Sequence, residues 1–263
     1  MPEVKSHKPG TFSWTDLATT DVASAKKFYG ELFGWAAEDQ PMPPGQGTYA
    51  LAKVKGKSVA GIAGMMEQQK KAGMPPHWTA YFTVQDVSAA TQKASSLGAK
   101  IVMEPLDVMD VGRMAAIEDP TGAAFAIWQA KKHIGTELLQ EPGTISWVEL
   151  ESRDVDKAGG FYSKLFGWSA KVQDMGGGKK YTVFFDGPEM RAGLMAPEPK
   201  APPMPAHWNV YFQVDSADAI AKRAASLKAK TLVPPTDIPN MGRFAFFFDP
   251  QGAMFSVFQP MRK

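Results

Sequence analysis

An internal duplication constrains this chain more than any other feature of its sequence. Three segments of the first half return in the second half with few changes, and they are "PGTFSW" at 9–14 with "PGTISW" at 142–147, "FYGELFGW" at 28–35 with "FYSKLFGW" at 161–168, and "HWTAYFTV" at 77–84 with "HWNVYFQV" at 207–214. The offset between the copies is 133 residues for the first two pairs and 130 for the third. Self-similarity of this kind marks tandem structural units, so the sequence predicts two domains of one fold. We place the first domain at 1–130, a linker at 131–141 and the second domain at 142–263.

Each copy contains the same order of strands and helices twice. A strand through "TFSWTDLAT" precedes apolar residues at helical spacing, with Asp21 as the expected N-cap and Gly34 as the glycine that ends the helix. Strands and a Pro-containing connector, "KKAGMPP", follow. The order then begins again with a strand at 77–84, a second amphipathic helix and a strand at about 100–103. Each copy thus predicts two β-α-β-β-β modules, at 9–66 and 76–130 and at 142–196 and 206–260.

One such module cannot bury both faces of a small sheet, so the modules are expected to pair. The predicted fold class is α+β. It comprises two tandem domains with four modules in all, in which curved mixed sheets surround clefts and the helices lie outside.

Composition excludes several classes of function. Cysteine is absent, which removes disulfides, thiolate zinc sites and cysteine nucleophiles. The net charge is +2 and the basic residues are scattered, so we predict no nucleic-acid partner. The sequence has no apolar run near the ~20 residues of a membrane span and no apolar signal segment, so we predict a cytoplasmic protein without a membrane partner.

The repeated motifs resemble those of one superfamily. The segment "DVASAKKFYGELFGW" after the first strand, and the late "DPTG" turn before the last strand, are similar to the vicinal-oxygen-chelate superfamily of glyoxalases, bleomycin-resistance proteins and extradiol dioxygenases. The second copy repeats both features, and the resemblance covers residues 9–260. It implies a tandem of two glyoxalase-like domains. The arrangement resembles a bacterial subgroup that includes a mycobacterial culture-filtrate antigen and actinomycete proteins described as hydroxylases.

The resemblance also implies metal ligands at three strand positions in each domain. In this sequence the residues there are Trp14, Thr79 and Ala126 in the first domain, and Trp147, Asn209 and Ser256 in the second. A divalent metal needs several converging oxygen or nitrogen ligands. We therefore predict no metal ligands and no cofactor, and glyoxalase I or extradiol dioxygenase activity comes into doubt. An unusual divalent-metal site stays open as an alternative.

Other side chains are candidates for a small-molecule site in each cleft, because residues two apart on a strand share a face. The expected ligand-binding residues are Trp14, Thr79, Tyr81, Arg113 and Trp128 in the first domain, and Trp147, Asn209, Tyr211, Arg243 and Phe258 in the second. Acid–base pairs are expected from Asp16 with His77 and from Glu149 with His207. The competing interpretations are structural: ion pairs for the carboxylates and arginines, strand-end positions for the histidines, and core packing for the rings.

Three functions remain open from the sequence. The first is a binding protein that holds a small aromatic or carbonyl-containing metabolite without the standard metal ligands. The alternatives are an enzyme of the glyoxalase/lyase or hydroxylase type, and a scaffold for protein interaction. The expected partner is a small-molecule ligand. A monomer can suffice, since the second domain is covalently supplied, and a homodimer stays open.

Overall fold

The computed structural model describes residues 3–42, 47–198 and 204–261. The elements of the first half are β1 (Phe12–Thr19), α1 (Val22–Phe33), β2 (Ala36–Gln40), β3 (Tyr49–Val54), β4 (Lys57–Gly64), α2 (Glu67–Lys71), β5 (His77–Thr83), α3 (Val87–Ser96), β6 (Lys100–Val108), β7 (Gly112–Glu118) and β8 (Ala124–Ala130). Those of the second half are β9 (Ile145–Glu151), α4 (Val155–Phe166), β10 (Ser169–Asp174), β11 (Lys180–Asp186), β12 (Glu189–Met195), β13 (His207–Gln213), α5 (Ala217–Ser226), β14 (Lys230–Ile238), β15 (Gly242–Phe248) and β16 (Met254–Pro260).

Each half forms one mixed sheet of eight strands, and the two strand orders correspond element by element. They are β2-β3-β4-β1-β5-β8-β7-β6 and β10-β11-β12-β9-β13-β16-β15-β14. The modules pair within each half, since β1 runs antiparallel to β5 and β9 runs antiparallel to β13. Within a module, the first and last strands pair in parallel, as β1 does with β4. The α+β tandem predicted from the sequence is confirmed.

The helix ends follow their local sequence signals. Asp21 accepts a hydrogen bond from the backbone N–H of Ser24 at 3.0 Å, and Gly34 takes the left-handed conformation with a φ of 75°. In the second copy Asp154 accepts from the N–H of Lys157 at 3.1 Å, and Gly167 has a φ of 78°. Both predicted caps are confirmed.

Two elements differ from the prediction. β6 extends to Val108 and contains Pro105, with register shifts on both sides of Met103. This strand lies at the edge of its sheet and has only one neighbouring strand. Proline lacks a backbone N–H, and at an edge this need not cost a hydrogen bond between strands. The short helix α2 lies in the connector, where no helix was predicted. No helix in the described ranges is long and apolar enough to cross a membrane.

The helix-bearing faces of the two sheets pack against each other and share one hydrophobic core. Phe33 at the end of α1 lies 5.2 Å from the ring of Phe212 on β13, and Phe166 at the end of α4 lies 5.2 Å from the ring of Phe82 on β5. α1 and α4 thus lie outside the sheet of their own domain but between the two domains. The opposite face of each sheet, here called the cleft face, points away from this interface.

The repeated motifs supply polar contacts across the interface. The phenol of Tyr29 donates to Oδ2 of Asp249 at 3.0 Å and accepts from the indole N–H of Trp78 at 3.2 Å. The indole of Trp35 donates to the carbonyl oxygen of Gly143 at 2.7 Å, and that of Trp168 donates to the carbonyl oxygen of Gly10 at 3.0 Å. The domain interface is therefore built from residues of the repeated motifs "FY…LFGW", "HW", "PGT" and "DPxG".

The hydrogen bond between Tyr29 and Asp249 is expected to couple the two domains energetically. Tyr29→Phe leaves Asp249 Oδ2 and the Trp78 N–H without their partner, which costs about 1–3 kcal/mol of the free energy of unfolding. Asp249→Asn should add much less in the Tyr29→Phe background than in the wild type, as measured by urea denaturation of the four proteins. The matched control pairs Tyr29→Phe with Asp119→Asn, the aspartate of the other copy. The changes that these two substitutions make in the free energy of unfolding should be additive. Additive effects in the first pair would contradict the coupling.

Candidate functional site

Strand alternation sorts the central side chains between the shared core and the cleft face. Leu17, Ala80 and Ile127 belong to the shared core, so their sequence neighbours point to the cleft face. The structure accordingly places ten of the predicted site residues there, and they are Trp14, Asp16, Thr79, Tyr81 and Trp128 in the first domain, and Trp147, Glu149, Asn209, Tyr211 and Phe258 in the second. Strand register then brings them side by side, with Asp16 opposite Thr79 and Glu149 opposite Asn209.

A carboxyl group that accepts a hydrogen bond from a phenol lies at the centre of the first cleft. Tyr81 donates to Oδ2 of Asp16 at 2.9 Å. Tyr49 of β3 accepts from the indole N–H of Trp14 at 2.9 Å. A Cβ atom at Gly61 would overlap the hydroxyl of Tyr49, so the glycine makes room for this phenol beside the carboxylate.

The second cleft repeats the arrangement with a longer acid. Tyr211 donates to Oε1 of Glu149 at 2.8 Å, and Tyr181 of β11 accepts from the indole N–H of Trp147 at 2.9 Å. A Cβ atom at Gly193 would overlap the hydroxyl of Tyr181. The sequence prediction missed Tyr49 and Tyr181. Their signal was a tyrosine that recurs near the start of the second strand after the "LFGW" helix in both copies.

Burial controls the ionisation of these groups. It raises the pKa of Asp16 to about 6, while the hydrogen bond from Tyr81 and the nearby His77 act in the opposite direction. Burial also raises the pKa of Glu149, opposed by its hydrogen bonds with Tyr181 and Tyr211. The pKa of Tyr81 is raised, by burial first and then by the charge of Asp16. The phenol of Tyr81 therefore remains a hydrogen-bond donor near neutral pH, whereas Asp16 can exchange a proton there.

The two histidines lie at the beginnings of β5 and β13, on the same strand face as Thr79 and Asn209. Nδ1 of His77 bonds to the carbonyl oxygen of Pro75 at 2.9 Å, and Nδ1 of His207 bonds to that of Pro205 at 2.8 Å. Because a carbonyl oxygen only accepts, Nδ1 carries the proton and Nε2 is the second nitrogen available to a ligand.

The structure does not bring the two predicted arginines to the clefts. Gly112 and Gly242 point to the cleft face, since a Cβ at either would meet the ring of Trp128 or Phe258, so the next residue points to the helix side. Arg113 there bonds to Oγ of Ser88 at 3.4 Å and lies 3.7 Å from Asp107. Arg243 donates to Asp237 at 2.6 Å and to Asp218 at 3.3 Å, again away from the cleft. Alternation along β7 and β15 overrides the expectation that these arginines anchor a ligand.

A segment of the linker covers the first cleft. This segment, residues 131–137, is called the strap. The N–H of His133 donates to the carbonyl oxygen of Val111 at 3.0 Å, and the His133 carbonyl accepts from the indole of Trp128 at 2.9 Å. The N–H of Thr136 donates to the carbonyl oxygen of Ser13 at 2.7 Å. The strap thus bridges β1, β8 and the β6–β7 turn.

The imidazole of His133 fills the space between the tryptophans of the first cleft. It lies edge-on to Trp14, with 4.5 Å between ring centroids, and 5.9 Å from Trp128. Burial lowers the pKa of His133, so the imidazole is neutral at physiological pH. Trp14 and Trp128 are only 4% and 5% exposed. The strap was missed from the sequence, where 131–141 was treated only as a connector.

The aromatic residues of the second cleft are more accessible than those of the first. Trp147 and Phe258, the counterparts of Trp14 and Trp128, are half-buried, as are Phe244 and Phe246 on β15. A hollow of about 440 Å³ lies where β15 begins and β16 ends, and Gly242, Arg243 and Gln259 belong to its lining, whereas Trp147, Phe258 and Glu149 do not. A second hollow, of about 330 Å³, lies at the domain interface and is lined by residues such as Gly10, Lys93 and Phe166, away from both clefts.

The cleft residues do not fit a resident divalent metal. The three strand positions at which the resemblance implies ligands hold Trp14, Thr79 and Ala126 in the first domain, and Trp147, Asn209 and Ser256 in the second. Within 3–42, 47–198 and 204–261, no group of three or more His, Asp or Glu side chains could hold a metal ion. Each cleft instead combines the central carboxyl group of Asp16 or Glu149 with phenols and rings.

The fold, the duplicated modules and the position of the clefts define a glyoxalase-type protein. The model of the Glyoxalase/Bleomycin resistance protein/Dioxygenase superfamily matches residues 11–127 and 144–257, and the chain belongs to this superfamily.

Relatives and solved structures extend over nearly the whole chain. CFP32 of Mycobacterium tuberculosis (strain CDC 1551 / Oshkosh), which carries the provisional name glyoxylase, is 44% identical over 99% of this chain and 98% of its own. The anthracycline biosynthesis protein DnrV of Streptomyces peucetius is 36% identical over 95% of this chain and 93% of its own. The Mn(II)-bound glyoxalase from Novosphingobium aromaticivorans superposes with a TM-score of 0.63 at 17% identity, over 97% of this chain and 83% of that one, and shows the fold alone.

The raised pKa of Asp16 predicts a pH dependence of stability. The pKa is about 6 in the folded protein and about 3.9 in an unfolded chain. Between these values the folded state binds more protons, so the free energy of unfolding falls as the pH rises from about 4 to about 6 and is flat above. The free energy of unfolding of the wild type minus that of Asp16→Asn, measured by urea denaturation from pH 4 to pH 8, should fall on the order of 2 kcal/mol between about pH 4 and about pH 6. A difference that is flat or that rises over this range would contradict the prediction.

Proposed function

We propose that the protein binds a planar aromatic or carbonyl-containing small molecule in the cleft of its second domain, without a resident metal. The observation that carries the proposal is the combination of half-buried rings and a buried acid on one sheet face, namely Trp147, Phe244 and Phe258 with Glu149. Apolar clefts with a few convergent polar groups are the usual form of small-molecule sites.

The rings of this cleft suit a flat ligand. Phe246 meets Tyr211 edge-on with 5.6 Å between centroids, and Phe244 meets Phe246 edge-on at 5.7 Å. Phe258 lies opposite Phe244 in the register of β15 and β16. Partly exposed aromatic faces gain from contact with a second aromatic system by about 0.5–1.5 kcal/mol per pair beyond burial alone. A planar molecule that contacts several of these rings therefore gains binding free energy from each of them.

The first cleft is a weaker candidate because the protein fills it. His133 occupies the position beside Trp14 and Trp128 that a ligand ring would need. Binding there would first have to displace the strap and break its backbone hydrogen bonds to Ser13 and Val111. We therefore assign binding to the second domain.

One relative supports a polycyclic ligand. DnrV is named for anthracycline biosynthesis and is 36% identical over 95% of this chain. Anthracyclines are polycyclic aromatic compounds with ring carbonyls, a chemistry that matches a cleft of rings with a hydrogen-bonding acid. This similarity motivates an anthraquinone as the probe.

Anthraquinone-2-sulfonate should bind the protein in the presence of EDTA, with one site per chain by isothermal titration calorimetry. Phe244→Ala should weaken binding by about 10-fold, because it removes one aromatic wall worth about 0.5–1.5 kcal/mol and its buried area. Met114→Ala, at the matching position of the first domain, is the control and should leave the Kd unchanged. Loss of binding on adding EDTA, or equal effects of the two variants, would count against the proposal.

A second candidate is an enzyme that uses a cleft carboxyl group as its acid or base. The observation in its favour is a carboxyl whose pKa lies near neutral, about 6 for Asp16, with the pKa of Glu149 raised in the same direction. A general acid or base works best when its pKa is near the operating pH. Such a group would catalyse exchange of a C–H proton beside a ligand carbonyl with solvent, so α-tetralone incubated with the protein in deuterium oxide would yield a deuterated product, at least ~100-fold more slowly with Glu149→Gln. Product formation unaffected by Glu149→Gln and Asp16→Asn would remove this candidate.

A further inference from the structure

Two buried polar atoms on the cleft face of the second domain lack a hydrogen-bond partner among the described residues. They are Oδ1 of Asn209 and Oγ of Ser256. Asn209 is 3% exposed and Ser256 is 1% exposed. Buried polar atoms in folded proteins are nearly always paired, so two orphans on one sheet face point to a partner outside the chain.

Strand geometry places both groups in the cleft of the second domain. Asn209 shares its strand face with Tyr211, and the neighbouring Trp208 and Val210 belong to the shared core. Ser256 pairs in register with Tyr211 across β13 and β16. Asn209 stands opposite Glu149 across β9 and β13. The two orphans therefore border the phenol–carboxyl pair.

The first domain does not carry this polar pair. Its residues at the two positions are Thr79 and Ala126, and Ala126 has no polar side-chain atom and is fully buried. Thr79 stands opposite Asp16 in the register of β1 and β5. Nε2 of His133, between the rings of the first cleft, is also buried without a partner among the described residues. Unpaired side chains at these two strand positions are thus the feature that only the second domain has.

We infer that Asn209 and Ser256 bind a hydroxyl group of the ligand. Oδ1 of Asn209 only accepts, so it requires a donor such as the ligand hydroxyl. The hydroxyl of Ser256 can donate to the oxygen atom of that ligand hydroxyl or to an adjacent carbonyl of the ligand. A hydroxyl beside a ring carbonyl meets both requirements at once. The inference rests on the proposed function and narrows its ligand class to hydroxylated aromatic carbonyl compounds.

Two anthraquinones that differ in their hydroxyl groups test this assignment. Alizarin red S carries two hydroxyls beside the ring carbonyl and a sulfonate, and anthraquinone-2-sulfonate carries the sulfonate alone. In EDTA, the wild type should bind the hydroxylated probe at least ~10-fold more tightly by calorimetry, since a hydrogen bond to a buried orphan group is worth about a factor of ten. The double variant Asn209→Thr/Ser256→Ala, which installs the residues of the first domain, should bring the ratio of the two Kd values to about 1.

Controls separate recognition from folding. Ala126→Ser adds a hydroxyl at the position of the first domain that matches Ser256, and should leave the ratio unchanged because the strap covers that cleft. The melting temperature of Ser256→Ala should equal or exceed that of the wild type, because the substitution removes an unpaired buried hydroxyl. A lower melting temperature would indicate a structural role for Ser256 and overturn the inference. Equal binding of both probes by the wild type overturns this inference alone, whereas failure of both probes to bind overturns the proposed function as well.

Discussion

The hydrogen bond between Tyr29 and Asp249 is the contact on which the arrangement of the two domains depends. Oδ1 of Asp249 accepts from the backbone N–H groups of Gln251 and Ala253 and so fixes its own turn, while Oδ2 is left for the tyrosine of the other domain. Burial raises the pKa of this aspartate, and the hydrogen bonds act against that shift. A buried carboxyl is tolerable only with partners of this kind, so the turn and the opposite helix must meet. Burial, and after it the charge of the nearby Asp119, raises the pKa of Tyr162, so the second tyrosine likewise lies near the aspartate of the other domain.

This contact decides which sheet faces can hold a ligand. It joins the helix-bearing faces, where Phe33 contacts Phe212 and Phe82 contacts Phe166. The shared core buries the apolar side chains of that face in both sheets. What remains for binding is the opposite face of each sheet. The repeated motifs, which are the most conspicuous part of the sequence, therefore serve the interface, and the clefts are built from the less conspicuous residues between them.

Local signals predict most of the fold, because caps, turn glycines and strand alternation depend on neighbouring residues. Asp21 and Gly34 bound α1 as expected, and the cleft positions of Trp14 and Trp147 follow from the period of a strand. The same period could have placed Arg113 on the helix side, since Gly112 and Met114 are cleft residues. The strap could not be foreseen. Its position depends on backbone hydrogen bonds to residues distant in sequence, and the composition of a linker carries no such information.

The duplication supplies two copies of one cleft, and the structure shows how they have become different. Both keep the phenol–carboxyl pair and the glycine beneath the second phenol, so the shared elements hold the strands and rings in place. They differ where a ligand would touch them. The first cleft has alanine at the position of Ser256 and is closed by the imidazole of His133, which gives its tryptophans an internal partner. The second has half-buried rings, and Asn209 and Ser256 carry unpaired atoms at the positions of Thr79 and Ala126. Duplication permits this divergence, because one copy can fill its cleft with a side chain of its own while the other keeps polar groups that the proposed ligand would satisfy.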